Sequence, residues 1–330
     1  APRGYEPVYM GKWHIPGRDY KKSFKVLTSG FRYGEHGDDA IARTAQSFFR
    51  NYRGDKPFFL SLGFLQPHDI CYWPMLNPEN LPELPYRRVA EQLPPLPPNH
   101  ATDAIEPEII KRLSMSQFRG KWSELHWRYY RWAYYRSVEM VDAQVGRILD
   151  ALEDSGRDRD TAVIFSSDHG DGMGAHGLIG KSFFHEEAVR VPLVIACPGL
   201  LPEGVRDTRH LVSGLDFAPT VCGFAGIEQP PKARGMDLKP LALRQNVDWR
   251  DFIVSESEVA GRMVRTPDYK YIAYRGDPAI QLYDLRSDPG ELHNLATDSA
   301  HAGTVTTLAR CLAKWEKTLE PAVDRLSSSQ

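Results

Sequence analysis

The sequence predicts an α/β fold, an open sheet covered by helices, followed by a smaller α+β unit. Three observations predict it. Residues 161–166 (TAVIFS) form a β-branched apolar run that follows a helical pattern and a polar turn, and the run ends on Ser167-Asp168-His169-Gly170. Residues 56–64 (KPFFLSLGF) form a second buried-strand pattern, which ends on Gln66-Pro67-His68-Asp69. Helix, turn, strand and then a polar cluster is the layout of an open sheet that binds ligands beyond the carboxyl ends of its strands. Past about Asp248 the pattern changes to short alternating runs, as antiparallel strands require.

Taken in order, residues 56–64 read as a buried strand of a parallel sheet, because aromatic and aliphatic residues follow a polar turn without alternation. Residues 66–107 are punctuated by prolines, including LPPLPP at 93–98, which suits neither a helix interior nor a central strand. They read as a long ordered surface loop, with a polyproline ligand as the alternative. From Trp127 to Leu152 the side chains of Tyr134, Val138, Val141, Val145, Ile148, Leu149 and Leu152 recur at helical spacing. Residues 191–196 are another strand and 215–225 a short helix. Runs at 252–255, 262–265, 269–274 and 281–283 read as short antiparallel strands, with a helix over 304–319 closing the chain. The expected division is 1–247 and 248–330.

With 330 residues, 42% hydrophobic and 25% charged, the chain can bury a sizeable core. Its 41 basic and 43 acidic side chains leave a net charge of -2, which gives no field for nucleic acid. No run approaches the roughly 18 apolar residues of a membrane span. Cys71, Cys197, Cys222 and Cys311 form no CxxC pair, which excludes a zinc knuckle or a dithiol motif.

The densest chemical signal runs from Ser166 to Lys181 (SSDHGDGMGAHGLIGK). Glycines let the backbone approach a ligand closely, Asp168 and His169 offer an oxygen and a nitrogen donor, and Lys181 offers a cation. Metal or anion binding would use all three, whereas a tight turn with Asp168 capping a helix would use none. Gly11-Lys12-Trp13-His14 carries a further lysine and histidine, and His68 stands at a strand end where a proton donor would face the crevice.

In that order and spacing, with Glu186-Glu187-Ala188-Val189-Arg190-Val191-Pro192-Leu193 and a C-terminal Leu282-Tyr283-Asp284-Leu285 run, the chain resembles the formylglycine sulfatases from Gly4 almost to its end. The resemblance implies an alkaline phosphatase-like α/β/α sandwich with a small C-terminal α+β subdomain, and hydrolysis of sulfate monoesters. It assigns Asp168 and His169 to a divalent cation, calcium by habit of the family and manganese or zinc by the nitrogen donor. Lys12 and Lys181 would grip sulfate oxygens, His14 would assist breakdown of a covalent intermediate, and His68 would bond the sulfate or protonate the leaving oxygen. His176, close in sequence to Lys181, is expected to line the pocket. A secreted, periplasmic or lysosomal setting is implied as well.

The family's nucleophile, a formylglycine made within a Cys/Ser-x-Pro-x-Arg run, has no counterpart here: Cys71 is followed by Tyr-Trp-Pro-Met and Cys197 by Pro-Gly. The expectation is an N-terminally truncated sulfatase, inactive alone, whose nucleophile lies outside the chain. Alternatives are a phosphonate monoester or phosphodiester hydrolase of the same superfamily and a non-catalytic sulfate-binding protein. Tyr72, Trp73, Trp122, Trp127, Tyr129 and Tyr130 suit sugar stacking and so suggest a sulfated carbohydrate, with packing as the alternative.

Overall fold

A computed structural model describes residues 4–15, 17–77, 87–101, 105–259 and 261–319. Part of the proline-rich excursion, 78–86 and 102–104, lies outside the described residues.

Three parallel strands, β1 (Glu6–Gly11), β2 (Lys25–Ser29) and β3 (Phe58–Gly63), pair in the order β2-β1-β3. Central β1 buries Val8 and Met10 completely. Helix α1 (Gly34–Asn51) presents Ile41, Ala42, Ala45 and Phe49 to them, one face at helical spacing. Helix α2 (Glu124–Asp154) adds Ile148, Ala151 and Leu152 to the same core. Its N-terminus is capped by Ser123, whose Oγ accepts from His126 N at 3.2 Å. The face expected for this helix is only partly used: Val138 and Leu149 are exposed, and burial at its first turns passes to His126, Trp127, Tyr129 and Tyr130.

β1, β2 and α1 were not legible in the sequence. Gly34 and Gly37 sit tight against Gln66 and Phe31, and Asp38 is buried in α1, so its composition does not read as a helix.

Strands β4 (Val163–Ser166) and β5 (Leu193–Ala196) pair antiparallel as a separate sheet, with Ser166 opposite Leu193. Helix α3 (Phe217–Ala225) follows. Strands β6 (Ile253–Glu256), β7 (Gly261–Arg265), β8 (Tyr269–Tyr274) and β9 (Gln281–Asp284) form an antiparallel meander in chain order. Alternation along β8 and β9 gives this sheet two apolar faces. Tyr271 and Leu282 meet Leu308 and Leu312 of α4 (Ala302–Glu316), while Ile272, Tyr274 and Tyr283 pack on Phe183, Phe184 and Ala188. Among the described residues no helix is long and apolar enough to cross a membrane.

Candidate active site

β1 and β3 stay in register to their last residues, Gly11 opposite Gly63, so Lys12 and the turn to His68 leave the sheet at one edge. Only glycine fits at position 11: its φ is +103°, and a Cβ would lie 2.0 Å from the Gly63 oxygen. That oxygen accepts from Lys12 N at 2.7 Å.

The His68 turn is held by two carboxylates. Buried Asp38 accepts from the amides of Leu65 and Gln66 at 2.8 and 2.9 Å. Asp69 Oδ2 accepts from Gly34 N at 2.7 Å and Glu35 N at 3.2 Å, and so caps α1 from a distant segment. His68 is half-buried, with Cys71 Sγ 3.7 Å from its Nδ1. Burial pushes the His68 pKa down, and the charges of Lys12 and Lys181 push it further.

At the end of β4, His169 Nδ1 lies 2.8 Å from the Gly170 carbonyl, which makes Nδ1 the protonated nitrogen and leaves a lone pair on Nε2. That nitrogen faces Asp168 Oδ2 at 3.7 Å and receives Lys181 Nζ at 2.7 Å. Desolvation works to raise the Asp168 carboxyl, but His169, Lys12 and backbone amides hold it below its ordinary range.

Lys181 reaches His169 because the glycine-rich segment folds back on itself. Gly172 N donates to Gly180 O, and Gly174 N to Leu178 O, both at 2.8 Å. Asp171 closes the loop by accepting from Met173 N at 2.8 Å, Gly180 N at 3.0 Å and the Tyr130 hydroxyl at 3.0 Å. Burial pushes its carboxyl up to about 6. The outside of the loop rests on the proline-rich excursion and α2: His176 N donates to Asn99 O at 2.6 Å, and Arg131 to Met173 O at 2.6 Å. Sequence reasoning gave Asp171 no role, although an aspartate between two glycines was a signal for a loop staple.

Lys12, His68, Asp168, His169 and Lys181 thus share one edge of the molecule. His14 is exposed, and among the described residues no hydrogen bond ties it to them.

His176 corrects its expectation. It is 1% exposed and stacks on His185 at 3.8 Å, turned away from Lys181 toward the C-terminal sheet. The chain leaves Gly174 in a left-handed turn, with His176 itself at φ 52°, which reverses its side chain. With Glu187 and Glu291 it forms a group of metal-ligating type. Asn99 Nδ2 donates to Glu187 Oε1 at 2.8 Å and Lys270 Nζ lies 2.7 Å from Glu291 Oε1, while among the described residues Glu187 Oε2 is buried with no hydrogen-bond partner.

Burial, with Arg119 and Lys270 nearby, holds the His176 pKa down to about 4. The unfolded chain takes up this proton first as pH falls below 6.5, so stability present at neutral pH is lost on acidification. The margin of wild type over His176→Gln should shrink between pH 7 and 4 by up to about 3 kcal/mol. Urea unfolding at several pH values measures it, and a pH-independent difference would refute the neutral buried histidine.

Four of the six aromatics take the packing alternative, while Tyr72 and Trp73 stay partly exposed. Trp122, Trp127, Tyr129 and Tyr130 are 7%, 2%, 4% and 1% exposed. Beside them lies a cavity of about 800 Å³ lined by Cys71, Met115, Phe118, Trp122, Asp171 and Gly180, which joins the His68 turn to the loop of Lys181.

Comparison with known proteins places this geometry. Residues 2–227 match the family model Sulfatase, and residues 174–318 match N-sulphoglucosamine sulphohydrolase, C-terminal. A Delta 4,5-hexuronate-2-O-sulfatase of Bacteroides thetaiotaomicron is 32% identical over 329 residues, covering 91% of this chain and 66% of its own. An arylsulfatase of Clostridium perfringens is 30% identical over 295 residues, covering 86% and 59%. This chain therefore spans about three fifths to two thirds of these relatives. The solved structure of a 2-O GAG sulfatase superposes with a TM-score of 0.83 at 29% identity, over 95% of this chain and 72% of that one. The fold is alkaline phosphatase-like.

Proposed function

The chain belongs to the sulfatase family, and on that premise we propose that it carries the anion-gripping and metal-ligating half of a hydrolase of sulfated carbohydrates. The carrying observation is the convergence of Lys12, His68 and the Lys181–His169 contact at one strand-end edge, with Lys181 Nζ 2.7 Å from His169 Nε2.

Lys12 and Lys181 supply fixed positive charge for oxygens that gain charge as the ester bond breaks. His68 has the position of a proton donor to the leaving oxygen. Its pKa is low beside two bare lysines, and a bound anion would cancel their field and let it take up the proton it then delivers. Asp168 and His169 would hold a divalent cation once Lys181 Nζ turns from His169 to the anion: the exposed carboxylate and Nε2 then face the same space, and the Gly170 carbonyl fixes the tautomer. Such a cation, calcium in our reading, would add positive charge against the ester oxygens. A Cys/Ser-x-Pro-x-Arg run is absent from the 330 residues, so the steps assigned to them are binding, orientation and proton delivery.

The carbohydrate reading is supported by the hexuronate and GAG sulfatases among the relatives and by a cavity of about 800 Å³, a size suited to a small-molecule ligand. Its wall combines Met115 and Phe118 with the polar Gln117 and Lys121.

The test is release of sulfate from sulfated disaccharides and an aryl sulfate, beside aryl phosphate and phosphonate esters, by the protein that carries this chain. Preferential hydrolysis of sulfated sugars is expected. Faster phosphoryl or phosphonate cleavage would overturn the assignment, and sulfate binding without hydrolysis would favour a binding protein.

A further inference from the structure

We propose that the C-terminal sheet is a working part of the anion site, with Lys270 of β8 as the residue that positions Lys181. The proposal rests on the reading of Lys181 as an anion ligand.

Lys270, Ile272 and Tyr274 share the face of β8 that meets Phe184 and Ala188. Lys270 is 0% exposed, and a lysine is buried so completely only when its charge is met. Its Nζ donates to the Phe184 carbonyl at 2.8 Å and lies 2.7 Å from both Glu186 Oε1 and Glu291 Oε1. Glu291 in turn accepts from Glu186 N at 2.7 Å through its other oxygen. Arg265 stands 3.7 Å from Glu186, so two cations face these two carboxylates.

What this group holds is the stretch that follows Lys181. Ser182, in a left-handed conformation at φ 83°, donates to Glu258 Oε1 at 2.6 Å. Phe183 and Phe184 are 3% and 2% exposed in the core shared with the sheet. The Phe184 carbonyl and the Glu186 amide are bound by Lys270 and Glu291. On its other side Lys181 follows Gly180, which Asp171 holds. The Lys181 stem is flexible, so the placement of its backbone decides where the ammonium can reach. Misplacement by about 1 Å is enough to weaken such a site strongly.

The experiment compares Lys270→Met, Lys270→Arg and a control, Leu308→Ala, which opens the core on the opposite face of the same sheet. Far-UV circular dichroism sets a temperature at which every variant is folded. Calorimetric affinity for inorganic sulfate is read there, with the side-chain 13C–15N signal of Lys181, assigned by its loss in K181R. Lys270→Met should weaken sulfate about 10-fold and shift the Lys181 signal. Lys270→Arg should recover most of both, and Leu308→Ala should change neither despite its lower melting temperature. An unmoved Lys181 signal in folded K270M, or the same shift in L308A, would overturn the proposal. Should K270M not fold, Glu291→Gln must move the signal in the same direction. If wild type binds no sulfate, the anion reading fails, while the Lys181 signal still decides the positioning role.

Discussion

Replacement of Asp171 by alanine should lower stability by about 4 kcal/mol and remove sulfate binding in the same step. The carboxylate is buried and accepts from two backbone amides and the Tyr130 hydroxyl. Truncation leaves those donors without their acceptor in a largely buried site, each costing about 1–3 kcal/mol. The second effect comes from geometry: the Gly180 amide it releases immediately precedes Lys181. Asparagine keeps one acceptor and turns an amide toward a donor, so Asp171→Asn should lose about half as much stability. Urea unfolding gives the stability and calorimetry the sulfate affinity. Stability lost without loss of sulfate affinity would mean that the loop does not place Lys181.

The other large effect is expected at the lysines. Lys181→Met should weaken inorganic sulfate by roughly 10- to 100-fold, the worth of one charge-assisted hydrogen bond. Lys12→Met should act similarly, and the double variant should lose less than the sum if both touch one anion. Both cations also push the His68 pKa down, so removal of either should let it rise. Proton NMR titration of His68 reads that shift independently of any ligand. Unchanged sulfate affinity in both single variants would remove these lysines from the site.

Much of the fold was legible because its signals are local. The apolar run before Asp168, the run before His68 and the alternation in the last third of the chain each report a strand from a few neighbouring side chains. β4 and β8 lie within or on the expected runs. The first strands and α1 were not legible. Helix α1 draws its order from partners elsewhere, Asp69 at its N-terminus and the Asp38 contacts with Leu65 and Gln66. Propensity reads none of these.

The candidate site divides along the same line. By itself the sequence determined the chemistry available: which lysines, histidines and carboxylates stand at strand ends, and the family to which their order points. Only the tertiary structure decided which of them meet. Lys181 returns to His169 across twelve residues because glycine turns and Asp171 fold the segment back, and five residues earlier the same turns send His176 the other way. Trp122 and Tyr130 have the composition of a sugar platform and the burial of a core. Lys270 reads as a surface lysine in a short strand, yet it holds the segment behind Lys181 from 86 residues away. Side-chain chemistry belongs to each residue alone, whereas distance and burial depend on where the rest of the chain returns.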